Sequence, residues 1–327
     1  MTNTSVPYMG LRLNNPIIVS SSSLTGTPEG VIKAAEAGAG AVVLKSLFEE
    51  QVSAELEQGT QGGDEFSHPE ANEYLSGLGM QLGPQGYLDL ISRAKKETSI
   101  PIFASMNCVA PRWWGEYATQ LSKSGADGVE INISYQPRTP TDTAASVEKY
   151  VLQILEKVTQ NLTIPFSVKL GPFFSDFPHL ATEIRKTGAK ALVLFNRFYQ
   201  FDVDIDTLKP TAGIQFSTPQ DYNTSLRWIS ILYGMAGIDL SGSTGVHDGK
   251  TLIKMLLAGA NTVQVCSAVY KHGYPLIGDM IKTLEDWMES KGYTNTDKMI
   301  GALSQEKSEN PEQYERLQYI KALTKIH

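Results

Sequence analysis

Cysteine, histidine and long apolar runs are scarce in this 327-residue chain, and each scarcity removes a class of function. The two cysteines, Cys108 and Cys266, fall in separate apolar runs, so the chain encodes no disulfide framework, zinc centre or iron–sulfur cluster. The five histidines, His68, His179, His247, His272 and His327, include no pair at metal-ligand spacing and read as surface residues. No apolar stretch approaches the ~20 residues of a membrane span. The opening MTNTSVPYMGLRLNNP lacks the cationic start and apolar core of a secretory leader. Positive charge is also short: 28 Lys and Arg against 35 Asp and Glu give a net charge of −7. That balance argues against a nucleic-acid or anionic-membrane surface. With 41% hydrophobic and 19% charged residues, the expectation is a soluble cytoplasmic protein.

What the chain does have is a repeated pattern. Four times a helix end carrying glycine and alanine leads into a short apolar strand. The pairs at 37–40, 125–126, 188–189 and 259–260 precede AVVLKS (41–46), GVEINIS (128–134), ALVLFN (191–196) and TVQVCS (262–267). Four further runs fill the gaps: PIIVSS (16–21), IPIFASM (100–106), IPFSVKL (164–170) and GIDLSGS (237–243). Such short, mostly apolar runs fit parallel strands buried on both faces. Helical stretches lie between them, over 28–37, 144–160 and 248–258 among others. Strand and helix alternate eight times, which predicts an α/β fold, a (β/α)8 TIM barrel forming one domain over 1–327. An open doubly wound sheet is the rival topology, but no dinucleotide glycine fingerprint follows the first strand. Long segments at 47–97 and 197–224 are inserted loops on the catalytic face, and 274–327 is a helical segment packed outside the barrel.

In such a barrel the site lies at the C-terminal strand ends, and these ends carry the polar groups. Lys45 and Lys169 end apolar strands, so each is either a lysine paired inside the barrel or a cation facing a cofactor or anion. Lys169 could equally serve a barrel aldolase as a Schiff-base lysine. Asn132, and with less force Asn107, place an amide where a heteroaromatic edge could be read. LSGSTGVHDG (240–249) turns the seventh strand into a helix, and Cys266-Ser267 does so after the eighth. Paired small-residue loops at those two positions form the usual phosphate site of a barrel. No Gly-Lys-Ser/Thr follows, so this is not a Walker loop. Trp113-Trp114 reads as packing between barrel and helix.

With these tips placed, the chain resembles the dihydroorotate dehydrogenase family, in particular its soluble class 1 branch, over about residues 9–285. The matching pieces are LNNPIIVSSSSLTG, VVLKS, SGLGMQLGPQGYLDLI, INIS with its Pro-containing loop, FSVKLGPFF, and SGSTGVHDGKTLIKMLLAGANTVQVCSAVYKHG. The resemblance implies FMN at the barrel mouth, oxidation of dihydroorotate to orotate in pyrimidine biosynthesis, a soluble electron acceptor and a homodimer. It further implies that Ser20, Ser21, Lys45, Ser46, Asn107 and Asn132 line the flavin and that Lys169 faces its N1 edge. Ser241, Gly242, Thr244, Gly245, Cys266 and Ser267 would cradle its phosphate.

The substrate half departs from the family pattern. Where the family carries its Ser-Cys-Pro-Asn, with the cysteine as base, this chain reads Ser134-Tyr135-Gln136-Pro137. Family asparagines align with Leu75 and Gln81, and the Asn-Ser pair after the sixth strand gives way to Asn196-Arg197. Lys45, Asn132 and Asn196 remain as substrate contacts, and Tyr135 with neighbouring Ser134 is the expected proton-transfer group. A site short of orotate's partners is expected to bind orotate more weakly. A lyase using Lys169 and a non-catalytic flavin binder are the competing readings.

Overall fold

In several barrel strands, GVEINI (128–133), FSVKL (166–170) and TVQV (262–265) among them, apolar residues alternate with small or polar ones, and this alternation decides what the barrel contains. The computed structural model describes residues 2–52, 83–110, 114–135, 137, 139–197, 200–213 and 216–324. All eight expected strands form: β3 (Ile17–Val19), β4 (Ala41–Val43), β6 (Ile102–Cys108), β7 (Gly128–Ile133), β8 (Phe166–Leu170), β9 (Ala191–Leu194), β12 (Asp239–Ser243) and β13 (Thr262–Val265). They run parallel in the order β4-β3-β13-β12-β9-β8-β7-β6, and β6 pairs back onto β4. The sheet is therefore closed, which excludes the open doubly wound alternative.

Helices α1 (Pro28–Glu36), α2 (Pro84–Glu97), α3 (Trp114–Lys123), α4 (Ala144–Thr159), α5 (Phe177–Lys186), α6 (Tyr222–Leu232) and α7 (Gly249–Ala258) link successive barrel strands. After β13 come α8 (Ser267–His272), α9 (Leu276–Lys291) and α10 (Tyr314–Thr324). Local chemistry sets several of these ends. Thr27 caps α1 by accepting from Gly30 N at 3.3 Å, with Pro28 in the first turn, and Asp248 caps α7 by accepting from Thr251 N at 2.7 Å. The recurrent glycines Gly38, Gly125, Gly188 and Gly259 all take positive φ, between 91 and 127°. That conformation turns each helix end towards its next strand, which is why the motif repeats.

The outward residues Val129, Ile131 and Ile133 of β7 pack with the helices in the large outer core. The inward positions change character along the barrel axis. At the bottom, Ile18, Ala41, Val43, Phe103 and Ala191 form a separate apolar cluster with Val6, Tyr8, Met9 and Leu13. The last four come from a hairpin of β1 (Val6–Tyr8) and β2 (Leu11–Leu13), which plugs the barrel floor. The Met9 N–H donates to Asp239 Oδ2 at 2.7 Å and fastens the plug to β12. Towards the top the inward positions become Ser20, Ser105, Glu130, Ser167, Lys169, Ser241 and Gln264, all buried. The strands are thus apolar on both faces near the floor and only on their outer face towards the mouth.

Three expectations change, the first being that the end of the expected 47–97 loop is the helix α2 (Pro84–Glu97). The segment after β9, expected as a loop, is largely a hairpin of β10 (Gln200–Asp204) and β11 (Lys209–Gly213), because Phe201 and Val203 alternate with acidic residues. His247, expected at the surface, is buried. A short strand β5 (Leu47–Phe48) also pairs with β6. Trp114 is fully buried, as expected, and its Nε1 donates to Glu49 Oε2 at 3.0 Å. Trp113, Leu75, Gln81, Gln136, Phe198, Tyr199 and His68 lie outside the described residues.

Candidate functional site

Four strands converge on one lysine. Lys169, inward on β8, donates through Nζ to Gln264 Oε1 on β13 at 2.9 Å, to Glu130 Oε1 on β7 at 3.1 Å and to Ser20 Oγ beyond β3 at 3.3 Å. Gln264 Nε2 donates to the other Glu130 oxygen, and Ser20 Oγ donates to Gln264 Oε1 at 3.0 Å. The carboxylate and the ammonium are almost wholly removed from water, with 2% and 7% of their side chains exposed. A buried pair of this kind survives because both charges are hydrogen-bonded as well as paired.

Above this network opens a cavity of about 510 Å³. One wall is Ser20 to Ser23, after β3. Another is Asn196 and Arg197, after β9, and a third runs from Ser243 to Val246, after β12. Cys266, Ser267 and Tyr270, after β13, complete it, with Lys169 and Gln264 at its base. In the turn after β12, Thr244 and Gly245 take φ of 70 and 81° in succession. A Cβ on Gly245 would stand 2.1 Å from Tyr222 N, so only glycine fits that approach. Arg197 is paired with Asp221 at 2.9 Å. Burial pushes the Cys266 thiol up from its usual range, against the opposing pull of Ser22 and the Lys169 charge.

A strap crosses the rim. Ser217 N donates to Ser267 Oγ at 3.0 Å, Ser217 O accepts from Lys271 Nζ at 2.8 Å, and Ser217 Oγ meets His247 Nε2 at 2.9 Å. Beside it Phe216 stacks on Tyr270, ring centroids 5.0 Å apart, and both line the cavity.

The expected site residues separate into groups. Ser20, Ser21, Lys169, Asn196, Thr244, Gly245, Cys266 and Ser267 come together around the cavity. Asn132 and Asn107 stand level with Lys169 at the tips of neighbouring strands, since Asn107 pairs with Asn132 and Asn132 with Lys169. Asn132 Oδ1 is buried without a hydrogen-bond partner, an unusual expense for an amide. Ser46 Oγ bridges Ser21 Oγ at 3.0 Å and Ser105 Oγ at 2.7 Å, while Lys45 is half-buried beside Gly26.

Ser241 and Gly242 stand below the cavity, not around it. The Ser241 hydroxyl accepts from Thr262 Oγ1 at 2.8 Å, and Gly242 faces outward, where a Cβ would meet Met255 Sδ at 3.0 Å. Ser243 takes their place in the wall because the inward residue nearest the mouth is one step later. Tyr135 also lies elsewhere. Its ring packs on Tyr150 with centroids 4.5 Å apart and lines a second cavity of about 260 Å³ with Phe173, Phe174, Asp142 and Glu148. Ser134, half-buried, precedes it at the β7 tip.

Sequence reasoning missed Glu130, Gln264 and the Ser217–His247 strap. The signal for the first two was present: Glu130 is two residues before Asn132 and Gln264 two before Cys266, so period-two alternation puts them on the same inward face. Glu49 is a further omission. Its Oε2 accepts from Val109 N and Ala110 N, each at 2.9 Å, as well as from Trp114. Among the described residues no cluster of three or more His, Cys, Asp or Glu could hold a metal, and no helix is long and apolar enough to cross a membrane.

Comparison with known proteins gives this geometry a family. The profile described as dihydroorotate dehydrogenase matches residues 3–288. The dihydroorotate dehydrogenase B (NAD(+)), catalytic subunit, of Methanosarcina acetivorans is 27% identical over 303 residues, 89% of this chain and 93% of that protein. Its namesake in Methanothermobacter thermautotrophicus is 24% identical over 315 residues, 92% and 98% of the two chains. That of Pyrococcus abyssi is 25% identical over 307 residues, 90% and 97%. With the match running through all eight barrel strands and the loops that wall the cavity, this chain belongs to the dihydroorotate dehydrogenase family.

Proposed function

We propose that this protein is an FMN-dependent oxidoreductase acting on a CH–CH bond, with its flavin in the cavity above Lys169. The observation that carries this reading is the orphaned Asn132 Oδ1 standing level with a buried lysine at the strand tips. A planar ring with donors and acceptors on its edge would supply the partner that the amide lacks. The Thr244-Gly245 turn and the Cys266-Ser267 tip fit the phosphate, and Ser20 and Ser21 fit the ring's flank. When bound, FMN supplies a two-electron acceptor for a substrate hydride.

The chain's own groups then have distinct tasks. Lys169 offers positive charge where a reduced ring would gather negative charge. Asn132 and Asn196 orient the substrate, together with Lys45. Tyr135 is the proposed proton-transfer group. The described lining of its cavity supplies the carboxylates Asp142 and Glu148 beside its hydroxyl-bearing ring, and the role proposed for it is proton donation. That role suits reduction of an activated alkene, whereas the family's dihydroorotate oxidation would need Tyr135 to accept a proton.

The three acceptors around Lys169 Nζ engage all three protons of an ammonium and leave no lone pair directed into the cavity. This geometry disfavours the Schiff-base lyase reading. A soluble electron acceptor, a homodimer and a cytoplasmic location complete the proposal by resemblance to the family. The first test is the visible spectrum of the purified protein, followed by anaerobic addition of dihydroorotate. A flavin band that bleaches supports the family reaction. A band that persists keeps the flavin and moves the substrate elsewhere, and protein that takes up no FMN overturns the reading.

A further inference from the structure

We propose that Glu130, together with Gln264, positions Lys169 and sets the net charge it presents to a bound flavin, tuning the flavin's oxidation–reduction balance from outside the cavity. This rests on the FMN reading above. Glu130 is 1% exposed and does not line the cavity, whereas Lys169, Gln264 and Ser20 do. It is a positioning residue, acting only through the groups it holds.

The hydrogen bonds fix a direction. Gln264 uses Oε1 to accept from Lys169 and Ser20 and Nε2 to donate to Glu130, so its amide cannot turn over without breaking contacts at both ends. Both Glu130 oxygens accept, one from Lys169 and one from Gln264, as suits a carboxylate. The longest contact to Nζ, Ser20 Oγ at 3.3 Å, is the one from a cavity-lining hydroxyl and the one a ligand can replace. Glu130 and Gln264 would keep their hold when that happens. Charge counting then gives the consequence. A reduced flavin carries more negative charge than an oxidised one. The Lys169 ammonium favours it, and the Glu130 carboxylate 3.1 Å behind partly offsets that effect.

The pair therefore predicts opposite signs. Glu130→Gln removes the offset, and the reduction equilibrium of bound FMN should shift about tenfold towards the reduced form, about 30 mV for a two-electron couple. Lys169→Met should shift it the other way. Glu130→Gln also turns a donor towards the Gln264 donor. The double variant Glu130→Gln/Gln264→Glu restores every donor–acceptor match with the carboxylate moved to β13, and should recover thermal stability and move the equilibrium back towards the wild-type value.

The experiment is anaerobic redox titration of the FMN-loaded proteins against reference dyes, with thermal unfolding as the check on folding. Opposite shifts for Glu130→Gln and Lys169→Met, with recovery in the double variant, support the proposal. Shifts of the same sign, or none, overturn it while leaving flavin binding intact. Should Glu130→Gln not fold, Glu130→Ala decides, since it removes the charge without turning a donor towards Gln264: a rise in potential supports the proposal and an unmoved one overturns it. Wild-type protein that takes up no FMN overturns the flavin reading, and this proposal with it.

Discussion

Ser217 Oγ and His247 Nε2 lie 2.9 Å apart, joining the segment after the β10–β11 hairpin to the loop that leads into α7. Burial, and the charge of nearby Lys271, hold the His247 imidazole below its ordinary value of 6.5. The unfolded chain therefore takes up this proton first as pH falls. Stability is unaffected by His247 above about pH 6.5, declines below it, and stops declining once the folded imidazole is itself protonated. The loss per pH unit is bounded at about 1.4 kcal/mol for one proton. His247→Gln, which can keep the bond to Ser217, should flatten the fall in melting temperature between pH 7 and pH 5. An unchanged slope would assign the acid sensitivity to other groups.

Gly245→Ala forces a Cβ against the backbone of Tyr222 at a residue with φ of 81°. Backbone cannot yield as a flexible side chain can, so the cost should be at least about 2 kcal/mol. Because the turn walls the cavity, FMN uptake measured by fluorescence quenching should fall with stability. Full uptake by a stable variant would place the phosphate elsewhere.

Asn132→Leu separates binding from folding. The orphaned Oδ1 contributes no bond to the unliganded fold, and an apolar side chain of similar volume removes its desolvation cost. The variant should melt at the wild-type temperature or above it without FMN. It should also bind FMN at least about tenfold more weakly, ~1.4 kcal/mol. A drop in unliganded stability would show that the amide serves the fold.

These positions mark what was readable in the chain. The strands were legible because four of the eight follow a glycine-ended helix and their outer faces are apolar, and both leave local signatures, as at Gly125 and Val129. The loops after β12 and β13 were legible for the same reason: small residues at a strand end announce close backbone approach. Glu130 and Gln264 were not, since an isolated polar residue inside VEINIS or TVQVCS acquires meaning only when closure brings β7, β8 and β13 around one axis. His247 was hidden similarly, its burial depending on a strap that arrives thirty residues earlier in sequence.

Glu49→Gln tests one contact of that non-local kind. The Glu49 carboxylate, just after β5, gathers two N–H donors from the residues that follow β6 and a third from Trp114 at the start of α3. Replacing it with a neutral amide should cost about 1–3 kcal/mol, read from denaturant unfolding, by weakening charge-assisted bonds to a buried group. A change within error would mean that Trp114 packing alone holds this corner.

Tyr135→Phe keeps the ring against Tyr150 and removes only the hydroxyl. Stability should hold while turnover of the true substrate falls by about a hundredfold or more, the scale of one lost general acid. Unchanged turnover would remove Tyr135 from the chemistry.

The plug formed by β1 and β2 makes the barrel a vessel closed at its floor. Val6 and Leu13 are wholly buried in its floor, and the Met9–Asp239 bond closes the seam, so traffic to the Lys169 level passes between the strand tips. Two small reactants that both have to reach that level must then queue, the first leaving before the second arrives. Ping-pong kinetics, with parallel lines in a double-reciprocal plot, are the expected outcome where both reactants use that one level, and intersecting lines would show that the two bind together.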